Sequence, residues 1–353
     1  MTRGLSRLSG QGVALWRGWR LPLAAGALRR RALRDGLLLA GWMVGAWIML
    51  AIPAAGRSLG YDAYSYWFVD LAERYALAQD SLYALGAFRY APPVGLVFGL
   101  LATLPWWLFL WLWMALSLGS ALWLGGSRAV VILALPPVAL ELYHGNVHLL
   151  MAAAIVLGFR HPWAWAFVLL TKITPGIGLL WFAVRREWRP LAIALLATAA
   201  VCVASFIWAP ALWQDWLATL GPSASRSADL SVPPSLPVRL AFAAMLVTWG
   251  ARTDRPWTVG MACMLGLPNL WPHGVVVALA AVPFLGRGRT QQPVAAVSAT
   301  AGLWSLRRFS VVAGLSVAIA LAGALVAGDA LERALLWASG SIIIVHASMF
   351  PGG

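Results

Sequence analysis

Asp62 is the first residue of this chain with an evident chemical use. It lies in GYDAYSYW (60–67), just beyond an apolar run. A carboxylate set among four aromatics at a membrane surface is partly desolvated. That raises its pKa and suits it to accept a proton from a hydroxyl. The plainer role is an acidic helix cap. Asp70 and Glu73 read as solvated helix-face charges. Arg89 in FRYAPP (88–93) is a fixed cation that can meet a phosphate or anchor at the interface by snorkelling. Lys172 in LTKITPG (170–176) is the one lysine among 26 basic residues. An ammonium inside an apolar run needs an anionic partner, and the sequence places no acid beside it. A lipid phosphate is therefore the expected partner, with the helix N-terminus after Pro175 adding donors; snorkelling is the alternative. Glu141, His144, Asn146 and His148 form a polar island around YHGNVH (143–148). Its spacing matches no zinc pattern, so it is read as polar packing between helices. His273, in LPNLWPH (267–273), stands at a helix start after Trp271–Pro272.

These residues sit in a chain that belongs in lipid. Of its 353 residues 61% are hydrophobic and 11% charged, against roughly 25% charged in an average soluble domain. Mean hydropathy is +0.78. The balance excludes a disordered chain, a disulfide scaffold and a simple water-soluble enzyme, and fits an all-α polytopic membrane protein. The net charge of +14 invites nucleic acid as a partner, but the arginines cluster between apolar spans, as the positive-inside rule requires. Nucleic acid is therefore not expected as a partner. Cys202 and Cys263 lie in apolar runs and read as small buried residues rather than a disulfide or metal pair. Many of the 22 Trp fall near span ends, as in an interfacial belt.

The span pattern gives an expected layout. Residues 1–35 form a basic cytoplasmic tail that can rest on anionic lipid, and no cleaved signal peptide is expected. Residues 36–55 are the first span. An acidic, aromatic loop, 56–89, follows outside the cytoplasm. In it Trp67, Leu71 and Tyr75 recur at helical spacing, which predicts a helix lying in the interface. Arg160, Arg185–Arg186–Arg189, Arg252/Arg255, Arg287/Arg289 and Arg307/Arg308 are assigned to the cytoplasmic side. If Arg160 and Arg185 share that side, 162–184 goes out and returns as two short helices, with LTKITPG at the outer turn. Such breaks are tolerated only inside protein or beside a wet cavity. Residues 189–208 cross again, a Pro/Ser-rich external loop covers 209–234, and spans near 235–250, 256–268, 271–285, 309–327 and 331–349 follow. The total is about twelve helices, with both termini cytoplasmic. The chain thus divides into a tail (1–35), a module with the catalytic loop (36–208) and a C-terminal part (209–353). No transporter-type internal repeat is found.

Taken in order, GYDAYSYW, FRYAPP, HGNVH, LTKITPG, SLPVRL (235–240) and LPNLWPH resemble glycosyltransferase family 87, the polyprenyl-phosphate-mannose-dependent mannosyltransferases with the GT-C fold. The resemblance covers roughly 36–290, and His144 is its departure, since many relatives carry Gln in this region. It implies a GT-C transferase in a plasma membrane of bacterial type, with its site on the extracytoplasmic face. By the resemblance Asp62 is the general base, and Arg89, Lys172, Arg239 and His273 meet the donor phosphate. Tyr61, Tyr90, His144 and Asn146 are the accompanying substrate contacts. The donor is a polyprenyl-phosphate sugar, and the acceptor a lipid-linked or glycan hydroxyl. Transfer inverts the anomeric centre. The donor carries its own leaving group, so no nucleotide or Gly-rich phosphate loop is needed; no cofactor and no metal ligand is assigned. A related transferase using arabinofuranose or glucose is the alternative within the class. A lipid transporter or flippase would also account for Lys172 and the broken helices, but the long acidic-aromatic first loop and the lack of repeat halves favour the enzyme.

Overall fold

The structure, a computed structural model, describes residues 22–54, 59–67, 70–80, 85–229 and 234–285. The first part of the basic tail, the loop 286–308 and the expected spans at 309–327 and 331–349 lie outside the described residues. Every regular element among the described residues is helical. In chain order, α1 (Pro22–Ala46) runs on through a π-turn at Trp47–Ala51. It is followed by α2 (Tyr61–Tyr64), α3 (Leu71–Asp80), α4 (Pro92–Leu101), α5 (Trp106–Gly125), α6 (Ala129–Leu133), α7 (Pro136–His144), α8 (His148–Gly158) and α9 (Trp165–Thr171). Then come α10 (Leu180–Val184), α11 (Trp188–Trp208), α12 (Pro210–Asp229), α13 (Leu236–Arg252), α14 (Trp257–Leu265) and a 3₁₀-helix at Pro272–Phe284.

Proline and glycine set these lengths. Pro pairs open α4 and α7, and Pro272 opens the 3₁₀-helix, because a first-turn residue has no intrahelical use for its N–H. Gly126 and Gly145 close α5 and α7 at positive φ, 51° and 67°. Punctuation of this density keeps most helices short, and the expected count of about twelve helices, short broken ones included, extends to spans outside the described residues. Three helices are long and apolar enough to cross a membrane: Leu28–Ala51, Trp106–Leu133 and Trp188–Trp208. A fourth crossing results if α7 and α8, bent by 109° at their junction, count as one. Pro92–Leu101, Pro162–Thr171, Thr174–Val184 and Pro272–Phe284 are apolar but shorter. The pair Pro162–Thr171 and Thr174–Val184 meets at Lys172, where the sequence calls for a break.

Two expected elements take a different form. The stretch 209–234, read as a Pro/Ser-rich loop, holds the 20-residue helix α12. Pro210 starts it, and Trp213 and Trp216 supply an apolar face that packs on the aromatic cluster around Tyr75 and Phe88. The face written by Trp67, Leu71 and Tyr75 does not belong to one helix. Asp70 caps α3, its Oδ1 accepting from the backbone N–H of Ala72 (2.9 Å) and Glu73 (3.2 Å). Leu71, Tyr75 and Ala78 are then buried. Trp67 lies in the preceding turn, and its indole donates to the Leu104 carbonyl at 2.7 Å.

The core has two parts. One surrounds α8, which is buried almost all round and packs against α5, α9, α14 and the 3₁₀-helix; an all-apolar helix belongs in such a central place. The other is aromatic, with Tyr66, Tyr75, Phe88, Tyr90, Phe98, Phe109 and Trp113 backing the loop that carries Asp62. By contrast α11 exposes Leu195, Leu196, Val203, Phe206, Ile207 and Trp208, a surface suited to lipid.

The basic turns at 185–189 and 252–255 come together at one end. Arg185 Nε donates to Glu187 Oε1 (2.7 Å), and its Nη1 donates to the Ala251 carbonyl (3.1 Å) and Asp254 Oδ1 (3.0 Å). The guanidinium also lies over the Trp181 ring. From that end α13 rises about 24 Å at 1.5 Å per residue. Its first turn reaches the loop before His273.

Candidate active site

Asp62 is positioned by two left-handed glycines. Gly60 (φ 82°) precedes α2 and donates its N–H to the Tyr143 carbonyl at 2.8 Å. Gly145 (φ 67°) ends α7, and its carbonyl accepts from the Trp113 indole at 2.7 Å. A Cβ at Gly145 would stand 2.8 Å from the Cβ of Ala63, so the α7–α8 break lies directly against α2. Asn146, the next residue, turns its side chain to the carboxylate. Asn146 Nδ2 donates to Asp62 Oδ2 at 2.7 Å while its Oδ1 accepts from Val147 N–H at 2.7 Å. The second bond fixes which end of the amide faces Asp62. Asp62 is therefore not the helix cap; its carboxylate faces the polar island.

Burial pushes the Asp62 carboxyl above the ordinary carboxylate range, and the Asn146 hydrogen bond opposes the shift. The side chain remains a quarter exposed. His273 Nε2 lies 3.8 Å from Asp62 Oδ2, beyond direct hydrogen bonding. His273 stacks on His144 with centroids 4.8 Å apart, and its ring centroid is 5.5 Å from that of His148. His273, in the first turn of the 3₁₀-helix, and His144, at the end of α7, thus lie together near the carboxylate.

Lys172 is also close enough to act electrostatically on Asp62. Its Nζ meets His148 Nε2 at 2.6 Å, and His148 Nδ1 meets Glu141 Oε2 at 3.0 Å. The backbone N–H of His148 donates to Glu141 Oε1 at 2.7 Å. Glu141 and His148 are fully buried. The acid that Lys172 lacks in sequence is supplied across the fold, through an imidazole. Glu141, His148 and His273 place one ligand-type atom each within 4.8 Å of one another. The Lys172 ammonium already provides the positive charge at this cluster.

The remaining expected residues fall in three places. Arg89 is half-buried beside this group, close enough to act electrostatically on Lys172 and on Tyr61. Its carbonyl accepts from the Trp216 indole at 3.1 Å. The Ala91 N–H donates to the Leu170 carbonyl at 3.0 Å, which ties FRYAPP to the last turn of α9, just before Lys172. Tyr90 sits in the aromatic core; its hydroxyl pairs with that of Tyr66 at 2.9 Å, and its carbonyl accepts from Tyr75 at 2.8 Å. Arg239 is buried, with its guanidinium donating to the carbonyls of Pro234, Leu265, Leu267 and Pro268 at 2.7–3.1 Å. These bonds fasten the loop that leads to His273 and use four of the five N–H groups of a side chain that the resemblance assigns to phosphate.

The chain also carries a family signature. The family model for glycosyltransferase family 87 matches residues 88–306, more than half of the sequence. The chain belongs to glycosyltransferase family 87. No curated protein and no solved structure matches it. Membership makes it a glycosyltransferase, and its apolar helices make it a membrane protein. The family stretch contains Arg89, the polar island, Lys172, Arg239 and His273, while Asp62 precedes it and is joined to it through Asn146. Sequence reasoning gave Glu141 and His148 no chemical role. The polar island itself was the available signal, since four polar side chains in an apolar run require partners.

Proposed function

We propose that the protein transfers mannose from a polyprenyl-phosphate donor to a lipid-linked or glycan acceptor, with inversion, on the extracytoplasmic face of a bacterial-type plasma membrane. The observation that carries the reading is the Asp62 carboxylate. It is held by Asn146, half-enclosed, with His273 Nε2 3.8 Å away and the Lys172 ammonium within electrostatic reach. Asp62 accepts the proton of the acceptor hydroxyl as its oxygen attacks the anomeric carbon. The bond from that carbon to the phosphate oxygen breaks, and the leaving lipid phosphate regains its full negative charge. Lys172 and Arg89 stabilise that charge as it develops, which is where fixed cations contribute most. His273 and His144 orient donor and acceptor against Asp62, with Tyr61 beside them. Tyr90 and Arg239 act at one remove, through the aromatic backing and the loop before His273. Short helices interrupted inside the protein are consistent with a GT-C arrangement and give Lys172 a protein-lined position.

The test uses purified protein in lipid nanodiscs with radiolabelled polyprenyl-phosphate mannose and a glycolipid extract as acceptor. Label should pass to the acceptor in the wild type. Asp62→Asn should bind donor and retain its fold but lose roughly 10²–10⁴-fold in transfer rate, the usual worth of a general base. Activity within a few-fold of wild type in that variant refutes the assignment of Asp62. Transfer from a polyprenyl-phosphate arabinofuranose or glucose donor, with none from mannose, would replace the sugar and keep the mechanism.

A further inference from the structure

The contact between Lys172 and His148 has a direction. Both oxygens of Glu141 lie against His148: Oε1 accepts from its backbone N–H, and Oε2 meets ring Nδ1. Because a buried carboxylate accepts, Nδ1 carries the proton and Nε2 presents its lone pair. Nε2 is the atom that meets Nζ at 2.6 Å. The series therefore reads carboxylate, imidazole N–H, imidazole lone pair, ammonium. Its three members come from three elements: Glu141 from the last turn of α7, His148 from the first residue of α8, and Lys172 from the break after α9. The 109° bend between α7 and α8 brings Glu141 and His148 face to face.

An ammonium has three N–H donors. Among the described residues its side chain makes one hydrogen bond, to His148, and the residue is half-buried rather than sealed. Two donors are left for a ligand, and their directions are restricted once the first is bound to a ring that cannot turn. A flexible four-carbon stem otherwise leaves the ammonium free to wander. Placing a leaving-group contact to within a fraction of an ångström is worth one to two orders of magnitude.

We propose that Glu141 and His148 are positioning residues, a pair that fixes the ammonium of Lys172 with two donors turned toward the anionic phosphate of the donor and of the released carrier. The proposal rests on the reading of Lys172 as the partner of that phosphate. Glu141 balances the lysine charge through the ring, so the site keeps a resident cation before substrate arrives, and the phosphate gains a preorganised partner.

The single lysine makes this directly observable. Labelling with [13Cε,15Nζ]-lysine gives one resonance in a chain carrying a lysine-free tag. In nanodiscs, added undecaprenyl phosphate should move that resonance in the wild type. In His148→Leu and Glu141→Gln the resonance of the lipid-free protein should already be displaced, and lipid-phosphate affinity should fall about tenfold, the worth of one charge-assisted bond. His148→Gln should retain affinity within about threefold, because its amide can donate to Glu141 and accept from Lys172. Glu141→Gln, which preserves shape, carries the test if His148→Leu does not fold. Equal loss in His148→Gln and His148→Leu would mean a merely structural ring and overturn the proposal. So would unchanged resonance and affinity in Glu141→Gln while the wild type responds to the lipid. A wild-type resonance that ignores undecaprenyl phosphate refutes instead the phosphate reading of Lys172, and the proposal with it.

Discussion

Burial and hydrogen bonding pull the Asp62 carboxyl in opposite directions. Desolvation disfavours its charged form and raises the pKa, while the Asn146 amide donates to the carboxylate and lowers it. As the proposed general base, Asp62 would work only when ionised, so the rate should fall as the pH drops through the raised pKa. The acid limb of kcat/KM should therefore lie above the ordinary Asp value of 3.8. Asn146→Ala removes the donor that favours the carboxylate, so its limb should move to higher pH, and activity at neutral pH should drop more than activity at pH 8.5. A limb that stays in place or moves toward acid would show that Asn146 does not serve Asp62. The sequence made Asp62 and Lys172 legible because each is a charge in an apolar setting. It did not show what each is bonded to. Asn146 is 84 residues from Asp62 and Glu141 is 31 residues from Lys172, and such pairings are settled by how helices meet rather than by local pattern.

At the scale of elements, the break between α7 and α8 does two jobs. It presents Asn146 to Asp62 and turns Glu141 onto His148. Gly145 makes this possible by adopting φ 67°, a conformation that costs an L-residue roughly 1–2 kcal/mol. A methyl there would also stand 2.8 Å from the Ala63 Cβ, which is fixed to the backbone and cannot swing away. Gly145→Ala should lower stability by about 1–3 kcal/mol and cut transfer at least tenfold, because the displaced residue adjoins Asp62. Gly99 in α4 is the control, since a Cβ there meets nothing within 4 Å. Gly99→Ala should leave the melting temperature unchanged or slightly higher, with full activity. Equal melting curves for the two variants would remove the strain argument. The elements were partly legible. Lys172 marks the break between two short helices because proline and an isolated charge fall together there. Helix α12 was missed because its prolines and serines read as loop residues, while Trp213 and Trp216, which pack it down, gain meaning only beside the aromatic cluster.

For the whole molecule, the arrangement of charge implies an orientation. Arg185 and Asp254 join two basic turns at one end, and basic turns between spans favour the cytoplasm. Helix α13 leads away from that end to Arg239, whose bonds to Leu265, Leu267 and Pro268 hold the loop before His273. Helix α11 likewise starts at the basic turn, crosses 21 residues and delivers the chain to α12, which packs beside FRYAPP through Trp216 and the Arg89 carbonyl. Both paths put the site at the end opposite the arginines, the end we propose to be the outer one. Ala211 and Arg252 are exposed at the two ends. In cells carrying Cys202→Ala and Cys263→Ala, a membrane-impermeant maleimide should label Ala211→Cys in intact cells and Arg252→Cys only after permeabilisation. The reverse pattern would turn the protein over. Asp62 would then face the cytoplasm, and the transferase would have to draw its donor from that leaflet.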